Sequence, residues 1–323
     1  MDYNSDDNNK LKPAGSFFKT LPPFAYVIIV LGVIFFLYQV IGAALAVAAA
    51  GADFEKNIPI ARIVLSFGEF MFILAPTILF ARLQTADLKG TFRLNIPNPL
   101  LVMLAILGII LIQPILQGYM SIQTYILDHI PFIQGILKEL KSLFDLVEQT
   151  TMKLVKSYSP VEFAVVVFVI AITPAICEEI LFRGFVLKNL EKVAKANIAI
   201  FLSGFLFALY HLQPFNLVPL VILGSFLSFV VYYSNSIYVG MLCHFLNNFF
   251  AAYFVYMFGK EDIQTPRLSH SETDLRNQSV RTGMRKFAAV RTSFVGNSGW
   301  SRSKAKLSPL SSMRWPGRTK KLF

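Results

Sequence analysis

Residues 160–187 have the sequence PVEFAVVVFVIAITPAICEEILFRGFVL, an apolar run that carries Glu178, Glu179 and Arg183 in its second half. The run is long enough to enter a bilayer, since about 20 apolar residues cross a hydrocarbon core. A charged side chain at membrane depth costs roughly 3 kcal/mol or more, so such residues usually face a protein interior or a polar cavity. We therefore predict a membrane helix with a functional site in its second half.

The composition of the whole chain is that of an integral membrane protein. Of its 323 residues, 55% are hydrophobic, 14% are aromatic and only 15% are charged, whereas about a quarter of the residues in soluble domains are charged. We predict an all-α fold, a polytopic transmembrane helical bundle of about seven to eight spans surrounded by lipid bilayer. The candidate spans are residues 24–50, 60–82, 99–118, 160–187, 197–213, 216–233 and 237–258.

The basic charge of the chain is concentrated at its C-terminal end. Residues 261–323 hold 13 Lys and Arg against 4 Asp and Glu, a net charge of +9, while residues 1–260 have a net charge of only +2. This segment has no apolar periodicity, so we expect a disordered basic tail and no nucleic-acid partner. Lysines before the first span predict a cytoplasmic N-terminus, because cytoplasmic flanks are enriched in Lys and Arg.

These patterns divide the chain into four parts. A helix predicted over 131–157 has apolar residues at helical spacing with charges between them, which is typical of an amphipathic helix. The predicted parts are a cytoplasmic segment (1–23), N-terminal spans with the amphipathic helix (24–159), a membrane domain that carries Glu178 and Glu179 (160–258) and the basic tail (259–323). The two cysteines, Cys177 and Cys243, lie in apolar surroundings and are interpreted as small buried hydrophobic residues.

Helical geometry gives the two glutamates different neighbours. Successive residues of an α-helix are about 100° apart, so Arg183 lies about 40° from Glu179 and about 140° from Glu178. A Glu followed four residues later by a cation is the favoured pair orientation, so we predict a Glu179–Arg183 pair. Glu178 has no local cation and must find its partner on another span or in water.

Three further polar residues reach the same depth as the glutamates. If helices rise 1.5 Å per residue, Glu178, His211, His244 and Asn248 all lie between about 10 and 21 Å inside the membrane. His244 and Asn248 are one turn apart, as are Phe207 and His211.

A helix break could open space beside these polar residues. Pro174, four residues before Glu178, has no N–H to donate and can open its helix to water.

Two kinds of hydrolytic chemistry fit this set of residues. A buried glutamate, alone or with a histidine, can take a proton from water, while a second histidine and Asn248 hold a developing oxyanion. Alternatively, Glu178, His211 and His244 form the two-histidine, one-carboxylate set of a hydrolytic zinc site. A structural charge network between helices is the non-catalytic interpretation.

The polar residues form three motifs in order along the chain: Glu178-Glu179-x-x-x-Arg183, Phe207-x-x-x-His211 and His244-x-x-x-Asn248. Over roughly residues 160–258 the chain resembles the CPBP family of intramembrane proteases, also called the Abi or type II CAAX prenyl endopeptidase family. The resemblance implies that Glu178 and His211 activate water and that His244 and Asn248 hold the oxyanion or complete a metal site. Glu179 and Arg183 would support this geometry, and Phe207 would pack beside it.

The resemblance implies a peptidase acting on a membrane-associated peptide or protein, which is either lipid-linked (CAAX-like) or hydrophobic, in a bacterial plasma membrane. Family members usually end soon after the third motif, so the basic tail departs from the pattern. Two other functions use the same residues: a non-catalytic membrane scaffold or bacteriocin self-immunity protein of the same fold, and a transporter. A transporter is disfavoured because paired interrupted helices in two related halves are not visible in the sequence.

Overall fold

The computed structural model describes residues 18, 20–51, 56–129, 144, 147 and 149–258, and within these ranges the chain forms helices and no strands. The helices that build the bundle are α1 (Pro23–Ala50), α2 (Ile58–Gln84), α3 (Pro99–His129), α4 (Pro160–Leu190), α5 (Ala196–Tyr210), α6 (Pro214–Ser234) and α7 (Ile237–Phe258). Most of the predicted amphipathic helix, the segment before residue 18 and the basic tail lie outside the described residues.

Six of these helices are long and apolar enough to cross a membrane, and α5 is a shorter apolar helix of 15 residues. The predicted class, an all-α multi-pass membrane protein, is confirmed, and the predicted count holds when α5 is included. The third span was predicted to end at residue 118, whereas α3 continues to His129. Falling hydropathy marks where a helix leaves the lipid, and a helix can continue beyond that point.

Helix α4 is the most enclosed helix of the bundle. In its most apolar 18-residue window 67% of the residues are buried, against 17% for α7. It packs on α2, α5, α6 and α7. The helix that carries Glu178 and Glu179 is therefore surrounded by protein, which removes the cost of facing lipid with a charge.

The apolar residues pack into clusters that meet near these glutamates. One cluster joins α1, α2, α4 and α5 and includes Tyr26, Phe182 and Cys177. A second joins α3, α6 and α7 and includes Leu227 and Cys243. Both cysteines are free and fully buried, as predicted for small core residues. Each precedes a polar residue of the predicted site by one position, so the site lies where the two clusters meet.

Wider π-helical turns interrupt the helices around this junction. They span Phe36–Gly42 in α1, Glu69–Leu74 in α2, and Phe168–Ile172 and Ile180–Val186 in α4. Such turns are rare and often occur at functional sites. In α4 they lie on both sides of the two glutamates.

Small residues bring α5 and α6 into close contact. A Cβ atom placed on Gly204 would collide with the backbone of Ser225, and one on Gly224 would lie 2.8 Å from the carbonyl oxygen of Gly204. Glycines and serines allow this approach between membrane helices. The contact places the Gly224 carbonyl within reach of α4.

Two buried arginines form ion pairs at the two ends of α4. Arg62 of α2 pairs with Glu162 at the start of α4, 2.8 Å apart. Arg93, which has a positive φ of 50°, pairs with Glu191 after α4, and its carbonyl oxygen accepts the backbone N–H of Ile237 at 3.1 Å. Since both arginines are at most 3% exposed, these pairs fix the ends of α4 and the start of α7.

Candidate active site

Glu178 lies on α4 opposite the two histidines of the later helices. Its Oε2 atom is 3.8 Å from His211 Nε2 and 4.0 Å from His244 Nε2. That oxygen is buried and has no hydrogen-bond partner among the described residues. The convergence of these three side chains, expected from their depth, is present in the structure.

The hydrogen bond at Nδ1 of each histidine indicates which ring nitrogen carries the hydrogen in the neutral ring. His211 Nδ1 lies 2.8 Å from the carbonyl oxygen of Phe207, and His244 Nδ1 lies 3.0 Å from Glu179 Oε1. Carbonyl and carboxylate oxygens accept hydrogen bonds, so each Nδ1 donates. In the neutral rings the Nε2 lone pairs therefore face Glu178.

The three facing atoms are arranged for contact through water. Their separations of 3.8 and 4.0 Å exceed the length of about 2.9 Å of a direct hydrogen bond. A water molecule between Glu178 Oε2 and either Nε2 atom can lie at hydrogen-bonding distance from both. It can donate to the carboxylate and to an imidazole lone pair, which is the contact needed to remove its proton.

Glu179 and Arg183 form the predicted pair. Arg183 Nη1 donates to Glu179 Oε1 at 2.7 Å, and both side chains are fully buried. Arg183 Nη2 donates to the carbonyl oxygen of Gly224 at 3.0 Å, and the guanidinium lies 4.5 Å from the centre of the Phe207 ring. The cation is thus held by a carboxylate, a backbone acceptor and an aromatic face.

Glu179 has a second partner that the sequence analysis did not predict. Its Oε1 atom also accepts from His244 Nδ1, so the same carboxylate holds Arg183 and orients a histidine of α7. A Cβ atom on Gly240, one turn before His244, would lie 2.6 Å from Glu179 Oε2. The glycine is the sequence signal for this contact, because only it leaves room for the carboxylate.

Phe207 forms an apolar wall between the two histidines. Its ring centre is 4.5 Å from that of His211 and 5.9 Å from that of His244. The side chain is 1% exposed. This is the packing position predicted for Phe207, and it limits rotation of both imidazoles.

Asn248 lies one turn after His244 on α7, and its hydrogen bonds go to its neighbour and to α4. Its Nδ2 donates to the carbonyl oxygen of Ile170 at 3.1 Å, and its Oδ1 accepts from Asn247 at 3.0 Å. The Ile170 carbonyl lies four residues before Pro174, which has no N–H to donate to it. The helix break predicted at Pro174 is therefore matched by a side-chain donor from α7.

The carboxylate oxygen of Glu178 is farther from His211 and His244 than ligands of the same zinc ion are from each other. Zinc bonds of about 2.1 Å place tetrahedral ligand atoms roughly 3.4 Å apart, and here the carboxylate oxygen is 3.8 and 4.0 Å from the nitrogens. Within the described ranges no group of three or more His, Cys, Asp and Glu side chains is arranged to hold a metal ion. Zinc at Glu178, His211 and His244 stays a prediction for metal analysis of the purified protein.

Comparison with known families bears directly on this arrangement. Residues 160–250 match the family model described as type II CAAX prenyl endopeptidase Rce1-like. This region is similar to the Rce1-like proteases. The match confirms the resemblance predicted from the three motifs and contains all of them. No match was found among curated proteins or among solved structures.

Outside the Rce1-like region, α2 contributes a buried carboxyl group that the sequence analysis missed. Glu69 is 7% exposed, its Oε1 accepts from the Tyr38 hydroxyl at 3.3 Å, and its Oε2 has no partner among the described residues. The segment Glu69–Leu74 packs on the segment Thr173–Glu179 of α4, which carries Glu178. Glu69 is the only acidic residue of α2, which was the signal that could have found it.

Proposed function

We propose that this chain is an intramembrane endopeptidase that hydrolyses a peptide bond of a membrane-associated substrate through water activated by Glu178. The observation that carries the proposal is the position of Glu178 Oε2. This oxygen is buried, has no hydrogen-bond partner among the described residues, and faces two imidazole nitrogens at 3.8 and 4.0 Å. A carboxylate so placed can take a proton from a water molecule beside it. The match to a protease family over residues 160–250 supports the same reaction class.

The proposed reaction begins with proton transfer from water to Glu178 while the water oxygen attacks the carbonyl carbon of the peptide bond. His211 accepts the second water hydrogen bond through Nε2 and orients the attacking oxygen. The carbonyl electrons move to the oxygen, which becomes an oxyanion. When this intermediate collapses the carbon–nitrogen bond breaks, and the proton held by Glu178 passes to the leaving nitrogen.

His244 and Asn248 are the proposed stabilisers of the oxyanion. The Asn248 amide donates in its ordinary form. Neutral His244 has a lone pair at Nε2, so it can donate from that atom only as an imidazolium. The Glu179 carboxylate, 3.0 Å from Nδ1, fixes the orientation of this ring. Donors fixed before the reaction are worth on the order of 10²–10³ in rate.

An apolar groove beside the site is consistent with a hydrophobic substrate. It has a volume of about 210 Å³ and lies between α4 and α7. Only apolar residues line it: Ile172, Ala175, Ile176, Met241, Leu242 and Phe245. Because the groove includes the helical turns before Glu178 and His244, an apolar chain in it would lie close to the reacting groups. We propose a lipid-linked, CAAX-like peptide or a hydrophobic peptide of a bacterial plasma membrane as substrate.

Purified protein in lipid nanodiscs tests this function. A farnesylated CAAX-type peptide and the same peptide without the lipid are incubated in water enriched in oxygen-18, and the products are analysed by mass spectrometry. We expect cleavage with one heavy oxygen in the new carboxylate, and a decrease of roughly 10²–10⁴-fold in Glu178→Gln and His211→Ala.

His129→Ala is the matched control, because His129 lies at the end of α3 and contacts Tyr125 rather than the site. Full activity of Glu178→Gln would refute the mechanism. The wild type could cleave neither peptide and change no terminus of a membrane-associated protein in cells. That result would favour the scaffold or self-immunity function.

A further inference from the structure

Three side-chain amides form a chain of hydrogen bonds that crosses the bundle from α3 to α4. Gln113 Nε2 of α3 donates to Asn247 Oδ1 of α7 at 3.0 Å. Asn247 Nδ2 donates to Asn248 Oδ1 at 3.0 Å, and Asn248 Nδ2 donates to the carbonyl oxygen of Ile170 at 3.1 Å. We refer to Gln113, Asn247 and Asn248 as the amide relay.

The amide relay has a single direction. The Ile170 carbonyl can only accept, so the nitrogen end of Asn248 must face α4 and its oxygen end must face Asn247. Asn247 must then turn its nitrogen to Asn248 and its oxygen to Gln113, which donates. Reversing any one amide would place two acceptors or two donors face to face, and such a mismatch leaves part-buried polar groups unpaired.

The acceptor at the end of the amide relay is set by the same proline that precedes Glu178. Ile170, Pro174 and Glu178 lie four residues apart along α4. Pro174 has no N–H for the Ile170 carbonyl, and Asn248 supplies a donor in its place. The orientation of the Asn248 amide is thereby tied to the helix that carries Glu178.

A side-chain amide has two N–H groups, and the hydrogen bonds of the described residues use only one of those on Asn248. We propose that Gln113 and Asn247 are positioning residues that keep the nitrogen end of Asn248 turned to α4, so that its second N–H meets the oxyanion. This inference rests on the proposed peptide hydrolysis. A reversed amide would present Oδ1 to the oxyanion, and two oxygens with negative charge repel each other.

The position of Gln113 makes this inference independent of the family match. Gln113 lies on α3, outside residues 160–250, and donates across to α7. A helix with no titratable residue at the site would therefore control the polarity of one of its donors.

Asn247→Asp is the sharpest test in the nanodisc cleavage assay. The substitution keeps the shape of the side chain and, as a carboxylate, replaces the donor that faces Asn248 Oδ1 with an acceptor. The Asn248 amide then has an acceptor on each side and loses its fixed orientation. We expect kcat to fall on the order of 10²-fold, the loss of one oxyanion donor, with KM unchanged. Asn248→Ala should lose a similar factor, and the double variant should lose no more than either single one, because both changes remove the same interaction.

Gln113→Leu is the second variant, since it changes α3 and leaves α7 intact. It removes the first donor of the amide relay, and we expect kcat to fall roughly tenfold with KM unchanged, a smaller effect because Asn248 keeps its bond to Ile170. Gln117→Leu, one turn further along α3 and outside the amide relay, is the matched control and should retain the wild-type kcat.

The outcomes separate this inference from the function on which it rests. If the wild type is active and both Asn247→Asp and Gln113→Leu retain its kcat, the amide relay has no positioning role. Losses in Asn247→Asp and Asn248→Ala that multiply in the double variant would also contradict it. If the wild type hydrolyses no peptide, the proposed function and this inference both fail.

Discussion

His244 Nδ1 and Glu179 Oε1 lie 3.0 Å apart, across the interface between α7 and α4. The same oxygen accepts from Arg183 at 2.7 Å. The second glutamate of the Glu178-Glu179 pair is thus an anchor for a cation and for a histidine, while the first faces the reacting position. Two adjacent carboxylates have different functions because Glu179 accepts from two fixed side-chain donors through Oε1, whereas Glu178 Oε2 accepts from none among the described residues.

The first prediction separates the two functions of Glu179. Glu179→Gln leaves Arg183 buried without a counter-charge, which typically costs about 3–5 kcal/mol, so we expect a lower thermal midpoint and low activity. In Glu179→Gln with Arg183→Met both members of the buried ion pair lose their charge, and the midpoint should recover. Cleavage should stay low, because His244 still lacks a carboxylate at Nδ1. Recovery of both stability and cleavage would show that Glu179 serves only to neutralise Arg183.

The second prediction concerns the space for Glu179. A Cβ atom on Gly240 would lie 2.6 Å from Glu179 Oε2 and would also press on Val231. We expect Gly240→Ala to destabilise the protein by about 1–3 kcal/mol, the usual cost of overpacking, and to reduce cleavage by displacing the carboxylate from His244.

Gly32→Ala in α1 is the control for this substitution, because nothing lies within 4 Å of its added Cβ atom. Cleavage and thermal midpoints of both variants in nanodiscs provide the comparison. Wild-type cleavage by Gly240→Ala would show that the position of Glu179 is not critical.

The sequence alone located Glu178, His211 and His244 because a titratable residue stands out in an apolar span and because helical rise places all three at one depth. It also identified the Glu179–Arg183 pair, which lies within one helix and depends only on spacing. The Glu179–His244 bond joins residues 65 positions apart. It depends on how α7 is rotated against α4, which the period of neither helix determines.

Asn248 and Glu69 show two other limits of pattern reading. The motif places Asn248 beside His244, but the choice of the Ile170 carbonyl as its acceptor depends on the packing of α7 on α4. Glu69, like Glu178, is a carboxyl group in an apolar span, and it lacks only a neighbouring motif. The turn that carries Glu69 packs on the part of α4 that carries Glu178, and the sequence pattern does not reveal this contact.

The third prediction concerns Glu69. A buried carboxyl group with one hydrogen bond from Tyr38 and a second oxygen without a partner among the described residues is costly for the fold, by roughly 1–3 kcal/mol. We expect Glu69→Leu to raise the thermal midpoint and to lower kcat, as is common when a costly functional group is removed. Tyr38→Phe should lower kcat less. A variant of Glu69 that is less stable and fully active would assign the residue to packing alone.

The fourth prediction concerns Pro174. In Pro174→Ala the residue gains an N–H that can donate to the Ile170 carbonyl, the acceptor that Asn248 uses at 3.1 Å. Helix α4 should become more regular and the thermal midpoint should be maintained or rise, because proline inside a helix costs about 3 kcal/mol.

In Pro174→Ala the Asn248 amide competes with the backbone for its acceptor and loses its fixed orientation. We expect kcat to fall roughly tenfold or more, since small misplacements at a reacting centre are costly, with KM little changed. Pro76→Ala in α2, a proline in a helix outside the Rce1-like region, is the control. If both proline variants keep the wild-type kcat, the Ile170–Asn248 bond does not orient the amide for catalysis.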